Sequence, residues 1–146
     1  MVQRVSRARV QVGSECVAEM GSGLLALVGV AVEDVAADAT ALARKLMGLR
    51  VFPDAEGRMD RSLLEVGGSL GVVSQFTLMG DARKGRRPSY GAAAAPERAQ
   101  PLIEALVASA RAEGAHVVTG QFRATMEVEL VNTGPVTLLL DTTRLF

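Results

Sequence analysis

The sequence is short of the residues that build most metal sites and catalytic triads. Its 146 residues include one cysteine, Cys16, and one histidine, His116. A single cysteine excludes an internal disulfide and a cysteine-cluster zinc site, and it fits a reducing compartment. The lone histidine has no second histidine with which to bind a metal, and no metal-ligand spacing or glycine-rich phosphate loop is evident. We therefore expect no metal and no cofactor, and we assign His116 a structural or surface role.

Net charge, aromatic residues and long apolar runs are also missing. Lysine and arginine together number 16, and so do aspartate and glutamate, which makes the net charge zero. This balance gives no sign of a nucleic-acid partner, so any such site has to be a local patch. Tryptophan is absent, and Val, Leu and Ala must fill the core. No apolar run is long enough to span a bilayer and no basic leader precedes one, so we expect a cytoplasmic protein without membrane contact.

The patterns that are present predict strands and two helices in a single domain, residues 1–146. Hydrophobic residues make up 49% of the chain and charged residues 22%, which is typical of a globular protein. Alternating or continuous apolar residues predict strands at 2–12, 15–20, 24–32, 70–73 and 117–140. Helical spacing predicts one helix around Ala39–Met47 and another that starts at Pro96 or Pro101 and stops at Gly114. This order indicates an α+β domain in which sheet packs on sheet and the helices lie outside.

Two short segments stand out from these patterns. Asn132-Thr133-Gly134-Pro135-Val136-Thr137 interrupts what otherwise reads as strand, because proline has no N–H to donate and glycine adds no packing. One interpretation is a hairpin turn. The other is a backbone shaped to present its carbonyl groups to a ligand, since glycine allows a close approach that a Cβ would block. The second segment, Ser74-Gln75-Phe76-Thr77-Leu78, follows the apolar strand at 70–73.

Taken together, SQFTL and NTGPVT closely resemble the two signature motifs of the D-aminoacyl-tRNA deacylases. Further segments similar to that family begin at Gln3, Gly23, Lys84 and Met126, so the resemblance covers essentially the whole chain. It implies a barrel-like fold of two packed, mainly antiparallel β-sheets with two long outer helices. It also implies a homodimer that hydrolyses the ester of D-aminoacyl-tRNA at the acceptor end. Glycyl-tRNA is an expected substrate as well, because glycine has no side chain to reject.

The resemblance assigns the reaction to the first motif. In the family, main-chain groups and the glutamine of this motif hold the terminal adenosine and the ester, which implies a catalytic or positioning role for Ser74, Gln75, Phe76 and Thr77. Thr77 is either a nucleophile or simply a β-branched strand residue. We favour positioning over covalent catalysis, because the sequence offers no evident base to activate a hydroxyl. The neighbouring 2′-hydroxyl of the tRNA is expected to assist, and strand-end N–H groups to serve as an oxyanion hole.

The resemblance assigns chiral selection to the second motif. In the family the Gly-Pro bond is cis, and its two carbonyl groups reach in from the other subunit to clasp the substrate ammonium, which implies this role for Gly134 and Pro135. An L side chain would clash with that backbone, whereas a D side chain would point to solvent. The substrate-binding residues implied in the same way are Asn132, Val136, Met126 and Arg4, the last of which matches an arginine that packs near the dipeptide.

Three other features have more than one interpretation. The basic loop of Arg83, Lys84, Arg86 and Arg87 is either solvated surface or a binding surface for tRNA phosphates. Glu127 and Glu129 share a strand face and are interpreted as solvated charges in preference to an acid–base pair. The family usually has Phe-Gly-Ala where this chain has Phe122-Arg123-Ala124, which puts Arg123 near the pocket and bears on the interactions made there.

Two alternative functions remain open at this point. One is a non-catalytic module of the same fold that binds the end of a tRNA. The other is a metabolic or structural α+β dimer in which the two motifs are coincidental.

Overall fold

The computed structural model describes residues 1–145, and Phe146 lies outside the described residues. In chain order the elements are β1 (Val2–Val12), β2 (Glu15–Met20), β3 (Gly23–Val28), α1 (Ala36–Gly48), β4 (Phe52–Pro53), β5 (Met59–Arg61), β6 (Ser69–Ser74), a 3₁₀ helix (Phe76–Met79), α2 (Pro96–Ala112), β7 (His116–Thr119) and β8 (Glu127–Leu138).

Strand β1 organises the main sheet. Along one edge its first half pairs with β3 and its second half with β2, while β8 runs antiparallel along its other edge. The parallel strands β6 and β7 continue the sheet beyond β3. Strand β2 approaches β7, which nearly closes the sheet into a barrel, and β4 and β5 form a second, small sheet. The predicted α+β class, with a barrel-like arrangement and two outer helices, is confirmed.

The core has two parts, because both faces of the central strands are buried. Leu24 and Ala26 of β3 pack with the helices, whereas Leu25 points into the barrel, as alternation along a strand requires. Helix α1 buries Ala39, Ala43, Leu46 and Met47, and α2 buries Ala99, Ile103, Leu106, Val107 and Ala110. These positions match the predicted apolar stripes of the two helices.

Some boundaries differ from the sequence-based expectation. Strand β3 ends at Val28 and not at residue 32, because the chain turns there and the Ala31 N–H donates to Asp34 Oδ2 at 2.8 Å. Helix α2 begins at Pro96, where proline loses no intrahelical hydrogen bond, and it continues through Pro101.

The segment 132–137 is not a hairpin turn, so that interpretation is wrong. Strand β8 continues through it alongside β1, with Val5 opposite Asn132 and Gln3 opposite Thr137. Arg4 alone therefore stands opposite the four residues 133–136, which form a wide bulge. Strand β1 is long enough to pair with β8 on both sides of Pro135, so the ladder resumes after the proline and no hairpin forms. We call residues 132–137 the Gly-Pro bulge.

Candidate active site

A pocket of about 870 Å³ opens at the end of strand β6. Its wall brings together β1, the ends of β3 and β6, the start of α2, the connection between β7 and β8, and β8 itself. The lining residues are Met1, Gln3, Leu27, Val30, Val73, Ser74, Gln75, Phe76, Thr77, Ala94, Pro96, Ala99, Phe122, Arg123, Ala124, Met126, Val128 and Leu130. The four residues predicted to act in the reaction lie here, and so does Met126.

The first motif enters the pocket as a strand that turns sharply. The Gln75 N–H donates to the Val28 carbonyl at 2.8 Å, which ties the end of β6 to β3. The chain then forms the 3₁₀ helix, in which the Leu78 N–H donates to the Gln75 carbonyl at 3.2 Å. The N–H groups of Phe76 and Thr77 stand at the start of this helix and therefore have no partner inside it. Such donors, at the end of a strand and in a pocket wall, suit a developing negative charge on oxygen.

Thr77 lies in this 3₁₀ helix and not in a strand. The Gln75 side chain donates from Nε2 to Thr77 Oγ1 at 3.0 Å, which fixes both groups on the pocket wall. Among the described residues that line the pocket, none carries a carboxylate, imidazole or lysine side chain. No side chain is therefore available there to take a proton from the Thr77 hydroxyl, and the geometry favours positioning over nucleophilic attack.

The basic loop follows the 3₁₀ helix, and its first arginine, Arg83, already forms an ion pair. Backbone hydrogen bonds between Asp81 and Ser89, of 2.8 and 2.9 Å, close the loop. Arg83 forms an ion pair with Asp81 at 2.6 Å. The hydrogen bonds that Asp81 accepts from the side chain and the backbone of Arg83 hold the pKa of its carboxyl well below the usual range. Lys84, Arg86 and Arg87 are exposed, and in the described part of the chain they form no ion pair. The loop is anchored beside the pocket, since Tyr90 packs edge-on against Phe76 with ring centroids 5.1 Å apart.

The Gly-Pro bulge lies outside this pocket. The Gly134-Pro135 peptide bond is cis, and neither residue lines the pocket of its own chain. Gly134 has φ +121°, a conformation that favours glycine, and a Cβ there would lie 2.9 Å from Arg4 Nη2. Arg4 crosses the bulge and donates to the carbonyl groups of Thr133 (3.2 Å) and Val51 (2.6 Å). Its predicted place beside the dipeptide therefore agrees with the structure.

Asn132 braces the bulge from within. Its Oδ1 accepts from the Val136 N–H at 3.1 Å, and its Nδ2 donates to Thr137 Oγ1 at 3.0 Å. The same Thr137 hydroxyl accepts from Gln3 Nε2 at 3.1 Å, and Gln3 in turn lines the pocket. The predicted site residues thus form a pocket group and a bulge group. A hydrogen bond from Gln3 links the two groups, but no residue of the bulge lines the pocket of its own chain.

Several lining residues were not found by sequence reasoning. Gln3 begins one of the segments that resemble the family, but alternation along β1 does not by itself mark it as pocket wall. Phe122 and residues 94–99, which lead into and begin α2, carry no pattern that points to a pocket. Arg123 does line the pocket, as its position in the sequence suggested.

Other candidate groups lie elsewhere. His116 Nδ1 is 3.2 Å from Ser69 Oγ at the start of β7, and Glu129 pairs with Arg9 at 2.6 Å on the outer face of β8. Within residues 1–145 no three His, Cys, Asp or Glu residues are grouped so that they could hold a metal ion. Neither helix of the described chain has the length and apolarity required to cross a membrane.

Comparison with known proteins identifies the family. The family model described as D-Tyr-tRNA(Tyr) deacylase matches residues 1–141. The chain belongs to this family. The family predicted from the two motifs is therefore confirmed, and with it the fold that the deacylase resemblance implies.

Relatives in the family match this chain along its full length. A D-aminoacyl-tRNA deacylase of Symbiobacterium thermophilum is 56% identical over 100% of this chain and 97% of that protein. A D-aminoacyl-tRNA deacylase of Anaeromyxobacter dehalogenans is 57% identical over 100% of this chain and 98% of that protein.

Solved structures agree with the deacylase fold. A protein named c-Myc DNA Unwinding Element Binding Protein superposes with a TM-score of 0.91 at 34% identity, over 96% of this chain and 95% of that one. A probable eukaryotic D-amino acid tRNA deacylase superposes with a TM-score of 0.77 at 15% identity, over 92% and 93% of the two chains, and shares the fold.

Proposed function

We propose that this protein hydrolyses the ester bond between a D-amino acid and the 3′ end of a tRNA. The observation that carries the proposal is the pocket at the end of β6, a ligand-sized cavity lined by Gln75, Phe76 and Thr77. The N–H groups of Phe76 and Thr77 have no partner inside the 3₁₀ helix that begins there. This wall supplies hydrogen-bond donors, which an ester carbonyl needs as it becomes an oxyanion.

The reaction then depends on positioning. Water adds to the ester carbonyl carbon, and the negative oxygen accepts hydrogen bonds from the two N–H groups. The bond between the carbonyl carbon and the ribose oxygen breaks, and the ribose oxygen takes a proton to regenerate the tRNA hydroxyl. An aminoacyl ester is already activated, so placement and oxyanion stabilisation are sufficient, and the vicinal 2′-hydroxyl of the tRNA relays the proton.

The substrate ammonium needs hydrogen-bond acceptors, and the pocket offers it no negatively charged one. Its described lining has no carboxylate, so a cationic amine has to be held by carbonyl oxygens. We assign this role to Gly134 and Pro135 of a second copy, which completes the site across a homodimer. The bulge carries backbone carbonyls, lies outside its own pocket and is braced by Arg4 and Asn132. With ammonium and ester both fixed, an L side chain clashes with the bulge, whereas D-amino acids and glycine are accepted.

The direct test is a comparison of matched substrates. We expect hydrolysis of D-tyrosyl-tRNA, slower hydrolysis of glycyl-tRNA and none of L-tyrosyl-tRNA at the same enzyme concentration. EDTA should leave the rate unchanged. Equal rates on the D and L substrates would contradict the proposed selection, and metal-dependent activity would contradict the proposed chemistry.

Binding separates the alternatives. A protein that binds tRNA ends and never cleaves the ester would be the non-catalytic module. The family match rules out the interpretation that the two motifs are coincidental, so a failure to bind tRNA even at low salt would contradict the proposed substrate. Because the proposed substrate is a charged tRNA, the protein is expected to act in the cytoplasm, where aminoacyl-tRNA is made and used.

A further inference from the structure

Arg123 has a backbone conformation that its side chain does not favour. It is the third residue of a four-residue turn, closed by a hydrogen bond of 3.2 Å from the Ala124 N–H to the Gln121 carbonyl. Its φ is 65°, and Phe122 before it is not among the residues with positive φ, so the turn has the pattern of type II. That position is normally glycine or asparagine, because a Cβ is strained there. An arginine that persists in such a place is a reason to look for a function.

The turn lies next to the wall of the pocket that β6 forms. The Gly120 N–H donates to the Val72 carbonyl at 3.0 Å, and Val72 precedes Ser74 by two residues on β6. Arg123, which is exposed, therefore lies in the same pocket wall as the strand end at which we propose that the ester binds.

Arg123 carries the charged side chain of the pocket lining. It is the only arginine or lysine side chain among the described residues that line the pocket, and it has neither a hydrogen-bond nor an ion-pair partner within residues 1–145. The amino group at Met1 also borders the pocket, but it donates to the Leu27 carbonyl at 3.0 Å. Arg123 thus offers a planar set of five N–H donors that no other part of the described chain uses.

We propose that Arg123 binds the phosphate that joins the last two nucleotides of the tRNA and so positions the ester on the Phe76–Thr77 wall. The inference rests on the proposed function. One ribose separates this phosphate from the ester, which makes it the closest fixed negative charge that the substrate carries. Arginine matches phosphate in geometry and charge, because two parallel N–H groups meet two oxygens. A carboxylate on the amino acid is a poorer match, because a D side chain points away from the pocket in the proposed binding mode.

The test removes the charge from the enzyme and the phosphate from the substrate in turn. The substrates are D-tyrosyl-tRNA, the 3′-D-tyrosyl ester of the dinucleotide CpA, and the 3′-D-tyrosyl ester of adenosine, which has no phosphate. The variants are Arg123→Gly and Arg123→Lys, with Arg44→Ala as the control for loss of an exposed arginine on α1. We expect Arg123→Gly to lower kcat/KM about 10- to 100-fold on the two substrates with phosphate, mainly through KM. It should leave the adenosine ester unaffected.

Further readouts distinguish this role from a structural one. Glycine suits φ 65°, so Arg123→Gly should keep or raise the Tm, and Arg123→Lys should recover part of the lost kcat/KM. Equal losses with and without the phosphate, or a loss confined to D-aspartyl and D-glutamyl substrates, would overturn the proposal. Binding of uncharged CpA, measured by calorimetry, should weaken in Arg123→Gly while adenosine binding does not change. That arm tests Arg123 even if the wild-type protein hydrolyses none of the three esters, which would instead refute the proposed function.

Discussion

The pocket at the end of β6 and the Gly-Pro bulge of β8 depart from regular strand geometry in opposite ways. At the pocket a strand stops and its continuation exposes N–H groups, at Phe76 and Thr77. At the bulge a strand continues, and four residues stand opposite the single residue Arg4. One region therefore offers hydrogen-bond donors and the other offers acceptors. An aminoacyl ester with a free ammonium group needs both, and no residue of the bulge lines the pocket of its own chain.

The two regions also differ in how they are supported. Six parts of the fold build the pocket wall, so its shape depends on the whole fold. The bulge depends on a few local hydrogen bonds, chiefly those of Arg4, Asn132 and Thr137. Substitutions in the bulge should therefore remove activity with little effect on the fold, and this makes the comparison testable.

The largest effect is expected from Gly134→Ala. The new methyl group would occupy a residue at φ +121°, 2.9 Å from both Arg4 Nη2 and Val136 Cγ2, so the bulge and its carbonyl groups must shift. We expect kcat/KM on D-tyrosyl-tRNA to fall by about 100-fold or more, because misplacement of about 1 Å has that effect. The measurement is a steady-state deacylation assay alongside thermal unfolding and gel filtration, in which the fold and the dimer should persist.

A matched glycine serves as the control for this variant. A Cβ at Gly21 has nothing within 4 Å, and Gly21 does not have a positive φ. Gly21→Ala should therefore retain the wild-type rate. A Gly134→Ala protein of wild-type activity would show that the bulge takes no part in the reaction.

A smaller effect is expected in the pocket, where Gln75 and Thr77 share one hydrogen bond of 3.0 Å. Gln75→Ala removes a group that we propose faces the ester, and we expect kcat to fall about 10- to 100-fold, as for removal of a positioned polar group. Thr77→Ala should be milder, within about tenfold, because the hydroxyl only positions the glutamine. Complete loss of activity in Thr77→Ala, with an acyl-enzyme trapped on the wild-type protein, would instead identify Thr77 as a nucleophile.

The smallest effect is expected in the basic loop. Replacement of both Arg86 and Arg87 by alanine should weaken tRNA binding alike for all amino acids. It should also reduce the slope of log affinity against log salt by about 0.7 to 0.9 for each phosphate that the loop no longer binds. Replacement of Arg44 and Lys45 on α1 is the control for the same change in net charge. An unchanged slope would make the loop ordinary solvated surface.

The sequence predicted strands and helices accurately where the periodic pattern of apolar residues extends over many residues. The two ends of β1 and the buried stripe of α1 agree with the structure, because alternation and helical spacing were unambiguous there. It failed at the Gly-Pro segment, where local turn chemistry favoured a hairpin. The pairing with β1, which is far away in the sequence, decided the structure, because β1 is long enough to pair with β8 on both sides of the proline.

The site was predictable only in part, for a similar reason. The two motifs marked the residues that leave the strands, and the resemblance supplied their roles. No local pattern marks Phe122 or the start of α2 as pocket wall, because only the closure of the sheet brings them to the end of β6. The positive φ of Arg123 is likewise a property of the folded turn, which the sequence showed only as an arginine in place of glycine.

Subunit exchange is the most direct test of the claim that each site takes donors from one chain and acceptors from another. Gly134→Ala protein is mixed with an equal amount of Gln75→Ala protein, the residual rate of each variant alone is measured and subtracted, and exchange is verified by native mass spectrometry. In a heterodimer one site combines the intact pocket of the first chain with the intact bulge of the second. After random exchange activity should therefore return to about a quarter of the wild-type value, since half of the dimers carry one intact site out of two. No recovery despite proven exchange would mean that pocket and bulge act within one chain, which would contradict this account.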